Sequence, residues 1–111
     1  MRPEVEATVK SFLKALSKKI RIEKAYIFGS SVRGDWLKTS DIDLVIVSKD
    51  FENIPFLKRL ELIEETQWKE KIRPHIETIP LTPEEFKEKV KSSAILRDAS
   101  KYWISIQTQH H

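Results

Sequence analysis

No cysteine occurs in the 111 residues. That excludes a disulfide framework and a thiolate metal site, and makes a reducing interior the default setting. Glycine is almost as scarce: there are two, Gly29 and Gly34, and they fall within one six-residue stretch. No apolar run reaches the roughly 18–20 residues that a membrane span needs. Acids and lysines also interrupt the N-terminal stretch, where a signal sequence would carry its apolar core. Lys and Arg number 20 against 17 Asp and Glu, a net charge of +3. The basic residues form no block along one face, which speaks against a duplex-DNA binder. The expectation from these absences is a cytoplasmic protein with no membrane partner. Its length suits a single domain over residues 1–111. Many Lys and Glu beside one Met and no Cys is also the bias of heat-adapted proteins. His110 and His111 close the chain in the manner of a purification tag and are given no functional role.

What is present is strongly patterned. Val5, Val9, Phe12, Leu13, Leu16 and Ile20 recur at helical spacing, and Pro3 is acceptable in a first turn, so residues 3–20 read as an amphipathic helix. Residues 22–28 (IEKAYIF) are β-branched and aromatic and stop at Gly29, the pattern of a strand. Residues 42–47 (IDLVIV) are a second, more apolar strand that belongs inside a sheet. Pro55 opens a helix to about Lys71 whose apolar side is Phe56, Leu57, Leu60, Ile63 and Trp68. Residues 75–79 (HIETI) form a third strand ended by Pro80. In "LTPEEF", Thr82 is placed as N-cap, Pro83 as the first helical residue and Glu85 as the third, a capping box for a helix to about Ser92. A further helix is read over 94–104. The order defines an α/β (α+β) fold: a small mixed sheet with helices packed mainly on one face.

The chemistry gathers in "FGSSVRGDWLKTSDIDLVIV", residues 28–47. Strand side chains alternate, so Asp41 and Asp43 share one face, about 7 Å apart along the chain. Two carboxylates so placed repel unless a cation lies between them, and hard oxygen donors suit Mg²⁺. A bare pair of this kind could equally cap a turn and face solvent. Gly29 after a strand permits a positive φ or a close backbone approach. Ser30 and Ser31 then offer hydroxyls and N–H groups for a phosphate cradle, and Arg33 adds a planar charge. This is not a Walker A loop, because the lysine–serine ending is missing. Glu77 is the one carboxylate inside the third strand, flanked by Ile76 and Ile79. It is the candidate third acid, or else an edge-strand residue facing water. His75, two residues earlier on the same face, could touch a ligand or serve structure.

The GS, ten residues, then DxD, with an apolar strand on each side, resembles the DNA polymerase β-like nucleotidyltransferase superfamily. In the form it takes here it looks like the small minimal nucleotidyltransferase (MNT) branch, and the likeness covers most of the chain. The resemblance implies that Gly29 and Ser30 hold the triphosphate and that Asp41 and Asp43 bind two Mg²⁺ ions. It places the third catalytic carboxylate on Glu77, where this family more often has Asp. It also implies ATP as substrate and a HEPN-domain toxin as partner. The chain would be the antitoxin, moving AMP onto a tyrosine of that toxin. On this pattern one ion, held by Asp41, Asp43 and Glu77, activates the incoming hydroxyl, and the other stays with the triphosphate.

Two other readings stay open. One is a binding module that keeps the fold, transfers weakly or not at all, and neutralises its partner by docking; the longer Glu77 supports it. The other is transfer to a small molecule or RNA, against which a short chain leaves little room for an acceptor-binding domain. Trp36, Tyr102 and Trp103 suit a partner surface if exposed, and a homodimer is a further expectation.

Overall fold

The computed structural model describes residues 3–28, 42–92 and 104–106. Helix α1 (Pro3–Leu16) buries Val5, Val9, Phe12, Leu13 and Leu16, the stripe its spacing predicts. Each fully buried aliphatic or Phe side chain of this kind contributes about 1.5–3 kcal/mol. The helix stops four residues before the expected end. There the N–H groups of Lys19 and Ile20 both turn back to the Leu16 carbonyl, at 2.9 and 3.1 Å. Ile20 remains in the core all the same.

Strand β1 (Lys24–Phe28) and strand β2 (Ile42–Val47) pair antiparallel. A 3₁₀ turn (Lys49–Asn53) follows, begun by Ser48, whose hydroxyl accepts the Asp50 N–H. Helix α2 (Phe56–Lys69) then crosses to strand β3 (Ile76–Leu81), which lies parallel to β2. Helix α3 (Pro83–Ser92) and strand β4 (Ile104–Ser105) complete the described elements. The sheet order is β3-β2-β1-β4, so β2 is interior, as its apolar run predicts. Ile42, Leu44 and Ile46 of β2 share one core with α1, Ala25, Ile27 and Ile63 of α2. Val45, Val47 and Leu81 form a smaller cluster with Phe86 of α3 on the other face. Two helices therefore cover one face and α3 reaches the other, an α+β arrangement of the expected kind.

Three expectations are corrected. The buried side of α2 is Arg59, Ile63, Thr66 and Gln67, whereas Phe56, Leu57 and Trp68 are exposed. The reason lies in β3, an edge strand whose outer backbone groups need partners. Gln67 supplies them as a strand would, donating its amide N–H to the Ile76 carbonyl (2.9 Å) and accepting the Ile76 N–H (2.8 Å). Second, β3 runs through Pro80 to Leu81 instead of ending before it. An edge strand tolerates a proline because the missing N–H has no ladder to serve on that side. Third, Ile104 and Ser105 are strand, paired with Ile27 and Tyr26, where the helix over 94–104 was expected to end. The remainder of that stretch, 94–103, lies outside the described residues.

The capping box forms as read. The Thr82 hydroxyl accepts the Glu85 N–H at 3.1 Å, and the Glu85 carboxylate accepts the Thr82 N–H at 2.9 Å. The same carboxylate takes the Arg59 guanidinium at 2.7 Å. Arg59 is 5% exposed and also donates to the carbonyls of Ile54 (2.7 Å) and Pro80 (3.2 Å). Its guanidinium stands 5.4 Å from the Phe51 ring centre and 5.8 Å from that of Phe56, within cation–π range of both.

The hydrogen bond from Arg59 holds the Glu85 carboxyl below its ordinary 4.5; partial burial opposes this and the Thr82 N–H supports it. A carboxyl depressed in the folded state stabilises the fold above its unfolded pKa, and that contribution disappears as pH falls through the folded value. Chemical denaturation across pH 6 to 2.5 should therefore show a loss of stability starting near pH 4.5. Glu85→Gln should remove that part of the acid sensitivity. Arg59→Met should cost about 2 kcal/mol or more at neutral pH, since it strands two carbonyls as well as the carboxylate.

Candidate active site

Strand parity decides which side chains meet. With Ile42, Leu44 and Ile46 in the helix-side core, Asp43, Val45 and Val47 stand on the opposite face. In β3, Ile76 faces the helix-side core, and Glu77, Ile79 and Leu81 face the other way. The register makes rows of this face. Phe28, Asp43 and Glu77 are direct partners across three strands, followed by Tyr26, Val45 and Ile79. Neighbouring strands lie about 4.8 Å apart, so the two carboxylates stand side by side.

Helix α3 covers the second row. The Phe86 ring stacks on Tyr26 with centroids 5.6 Å apart and planes within 7°. The acid row is more open: the Glu77 side chain is 63% exposed and Asp43 is half-buried. Two like charges directly opposite on adjacent strands disfavour one another, and Glu77, exposed on an edge strand, has Asp43 as its register partner. An oxygen-rich pair of this kind fits Mg²⁺, which takes one or two carboxylates and leaves its other positions to water and phosphate. Among the described residues no group of three His, Cys, Asp or Glu side chains gathers to hold a metal. Asp41, Gly29, Ser30 and Arg33 lie outside the described residues, as do Trp36, Tyr102 and Trp103.

His75 sits at the entrance to β3. Its Nε2 bonds both oxygens of Glu64 on α2, at 2.9 and 3.1 Å, and its Nδ1 is 3.9 Å from the Glu77 carboxylate. Its carbonyl accepts the Ile42 N–H at 3.0 Å. Sequence reasoning missed Glu64, because nothing along the chain separates it from Glu61 and Glu65. The available signal was its helical phase: it lies one turn beyond Leu60, on a helix leading directly to β3.

A family model described as a nucleotidyltransferase domain matches residues 9–102, and the chain belongs to that family. Over 62 residues it is 34% identical to the protein adenylyltransferase MntA of Thermococcus cleftensis, a stretch that is 56% of this chain and 60% of that protein. Over 52 residues it is 44% identical to MJ0604 of Methanocaldococcus jannaschii, 44% of this chain and 52% of that protein. The chain thus spans between about half and three-fifths of these curated relatives. A solved Sulfolobus solfataricus structure is 26% identical, with a TM-score of 0.65, covering 94% of this chain and 80% of that one. A toxin–antitoxin complex with AMP-PNP aligns with a TM-score of 0.57 at 18% identity, over 95% of this chain and 74% of that one, a likeness of fold.

No helix among the described residues is long and apolar enough to cross a membrane. Phe86 is the side chain that seats α3 beside the acid row. Phe86→Ala should destabilise the protein by at least about 1 kcal/mol, from the lost ring pair and buried area. Phe86→Leu should cost less, and urea midpoints will rank the two.

Proposed function

We propose that this chain transfers a nucleoside monophosphate, AMP from ATP, to a hydroxyl on another protein, and acts as the antitoxin of a HEPN-domain toxin with a tyrosine as acceptor. The observation that carries this reading is the direct pairing of Asp43 with Glu77 in the row of this sheet face that α3 leaves open. Support comes from the family the chain belongs to, from a relative named protein adenylyltransferase, and from a fold shared with a toxin–antitoxin complex crystallised with AMP-PNP. The lack of cysteine accords with a cytoplasmic setting.

In this mechanism Asp41, Asp43 and Glu77 would hold two Mg²⁺ ions by carboxylate oxygens. When bound, Mg²⁺ neutralises phosphate charge and makes the attacking hydroxyl more acidic. Gly29 and Ser30 bring backbone N–H groups to the triphosphate, and Arg33 adds a fixed charge. The acceptor oxygen attacks the α-phosphorus, the bond to pyrophosphate breaks, and the acceptor's proton passes to Glu77. The open rim around Glu77 leaves room for a hydroxyl presented by a second protein. The extra methylene of Glu77, compared with Asp, lets its carboxylate reach that hydroxyl from an exposed edge strand.

The test is incubation of the protein with the product of the neighbouring gene, Mg²⁺ and each of the four labelled nucleoside triphosphates, followed by intact-mass measurement. A gain of one AMP on the partner is expected. Asp43→Ala should abolish it, and Glu77→Ala should slow it about 10²–10⁴-fold while nucleotide still binds. A stable complex with no gain in mass would instead establish the docking module.

A further inference from the structure

We infer that Glu64, acting through His75, positions the acid row. This rests on the reading of Asp43 and Glu77 as metal ligands. His75 makes contact in three directions from one residue. Its ring is held by both carboxylate oxygens of Glu64. The other ring nitrogen faces Glu77 at 3.9 Å, and the His75 carbonyl fixes the Ile42 N–H, next in the chain to Asp43. At 3.9 Å the ring is too far for a direct hydrogen bond to Glu77. It is close enough to bound the space that carboxylate can sweep and to share a bridging water with it.

A glutamate on an exposed strand position has three side-chain torsions to fix, and a metal ligand that wanders binds weakly. Groups that orient ligands in this way typically change metal affinity or activity about 10–100-fold when removed. Glu64 is suited to the role because a carboxylate gripping one imidazole nitrogen sets both the ring's plane and its flip. His75 is 39% and Glu64 56% exposed in their side chains, so the pair itself adds little to folding stability. Position and stability can therefore be separated by experiment.

The experiment is calorimetric titration of Mn²⁺ into the full chain and its variants, with thermal midpoints recorded alongside. Glu64→Ala and His75→Ala should each weaken Mn²⁺ binding about tenfold or more. The double variant should be no weaker than His75→Ala alone, because both changes remove one link. Glu64→Gln, whose amide oxygen still accepts from Nε2, should stay within about threefold of the parent. All midpoints should agree within about 2 °C. Unchanged Mn²⁺ affinity in Glu64→Ala would overturn the inference. So would an equal loss in Glu64→Ala and Glu64→Gln, which would trace the effect to charge alone. The transfer assay stands apart: Glu64-dependent Mn²⁺ binding without nucleotide transfer keeps the positioning role and removes the function proposed above.

Discussion

The register of one edge strand governs the site. Side chains alternate with a period of two, so a one-residue slip of β3 against β2 would turn Glu77 to the helix side and bring Thr78 to the acid row. Edge strands are prone to such slips because one side of their backbone has no ladder. Here α2 replaces the missing neighbour. Gln67 satisfies both backbone groups of Ile76 at the start of the strand, and Arg59 takes the Pro80 carbonyl near its end. Pro80 has no N–H to leave unpaired. Clamped at both ends, β3 has one register, and Glu77 falls opposite Asp43.

Arg59 extends the constraint to α3. Its second bonding direction is Glu85, the residue that also closes the helix's capping box with Thr82. The start of α3, the end of β3 and the start of α2 thus meet at one guanidinium between two phenylalanine rings. A buried pair of this sort is a doubtful source of net stability, since desolvation offsets much of the attraction. Its directional bonds bear on geometry instead. They fix where α3 begins, and so where Phe86 comes down on Tyr26. The boundary between the covered apolar row and the open acid row follows from that.

The legible parts were those written in a local period or a local bond. The stripe of α1, the parity of Ile42 to Val47 and the Thr82–Glu85 box each need only a few consecutive residues. The placement of Glu77 on a third strand was legible for the same reason. The inner face of α2 was not. Hydropathy ranks Arg59, Thr66 and Gln67 as outward and Leu57 and Trp68 as inward, because it scores a side chain against water. In the fold Gln67 and Arg59 are scored against the naked backbone of β3, a partner that lies 9 residues from Gln67 and 21 from Arg59, while the Thr66 hydroxyl donates to the Leu62 carbonyl and accepts from Lys19. Strand β4 was hidden in the same way. Two residues have no period, and only the β1 edge beside them makes Ile104 and Ser105 a strand.

Glu77 shows how these levels combine. The resemblance read from the sequence places a third carboxylate here, and the sequence supplies a glutamate, one methylene longer than an aspartate. In the fold it is an exposed side chain on a firmly registered strand, with Asp43 beside it and His75 behind it. Backbone register removes the freedom to choose a face, but leaves the side-chain torsions open. An aspartate would be fixed largely by the strand. A glutamate needs a further wall, and the Glu64–His75 pair stands where that wall is required. On the function proposed above, the longer acid and the helix-held imidazole would be two parts of one solution, with reach gained by the methylene and direction restored from α2.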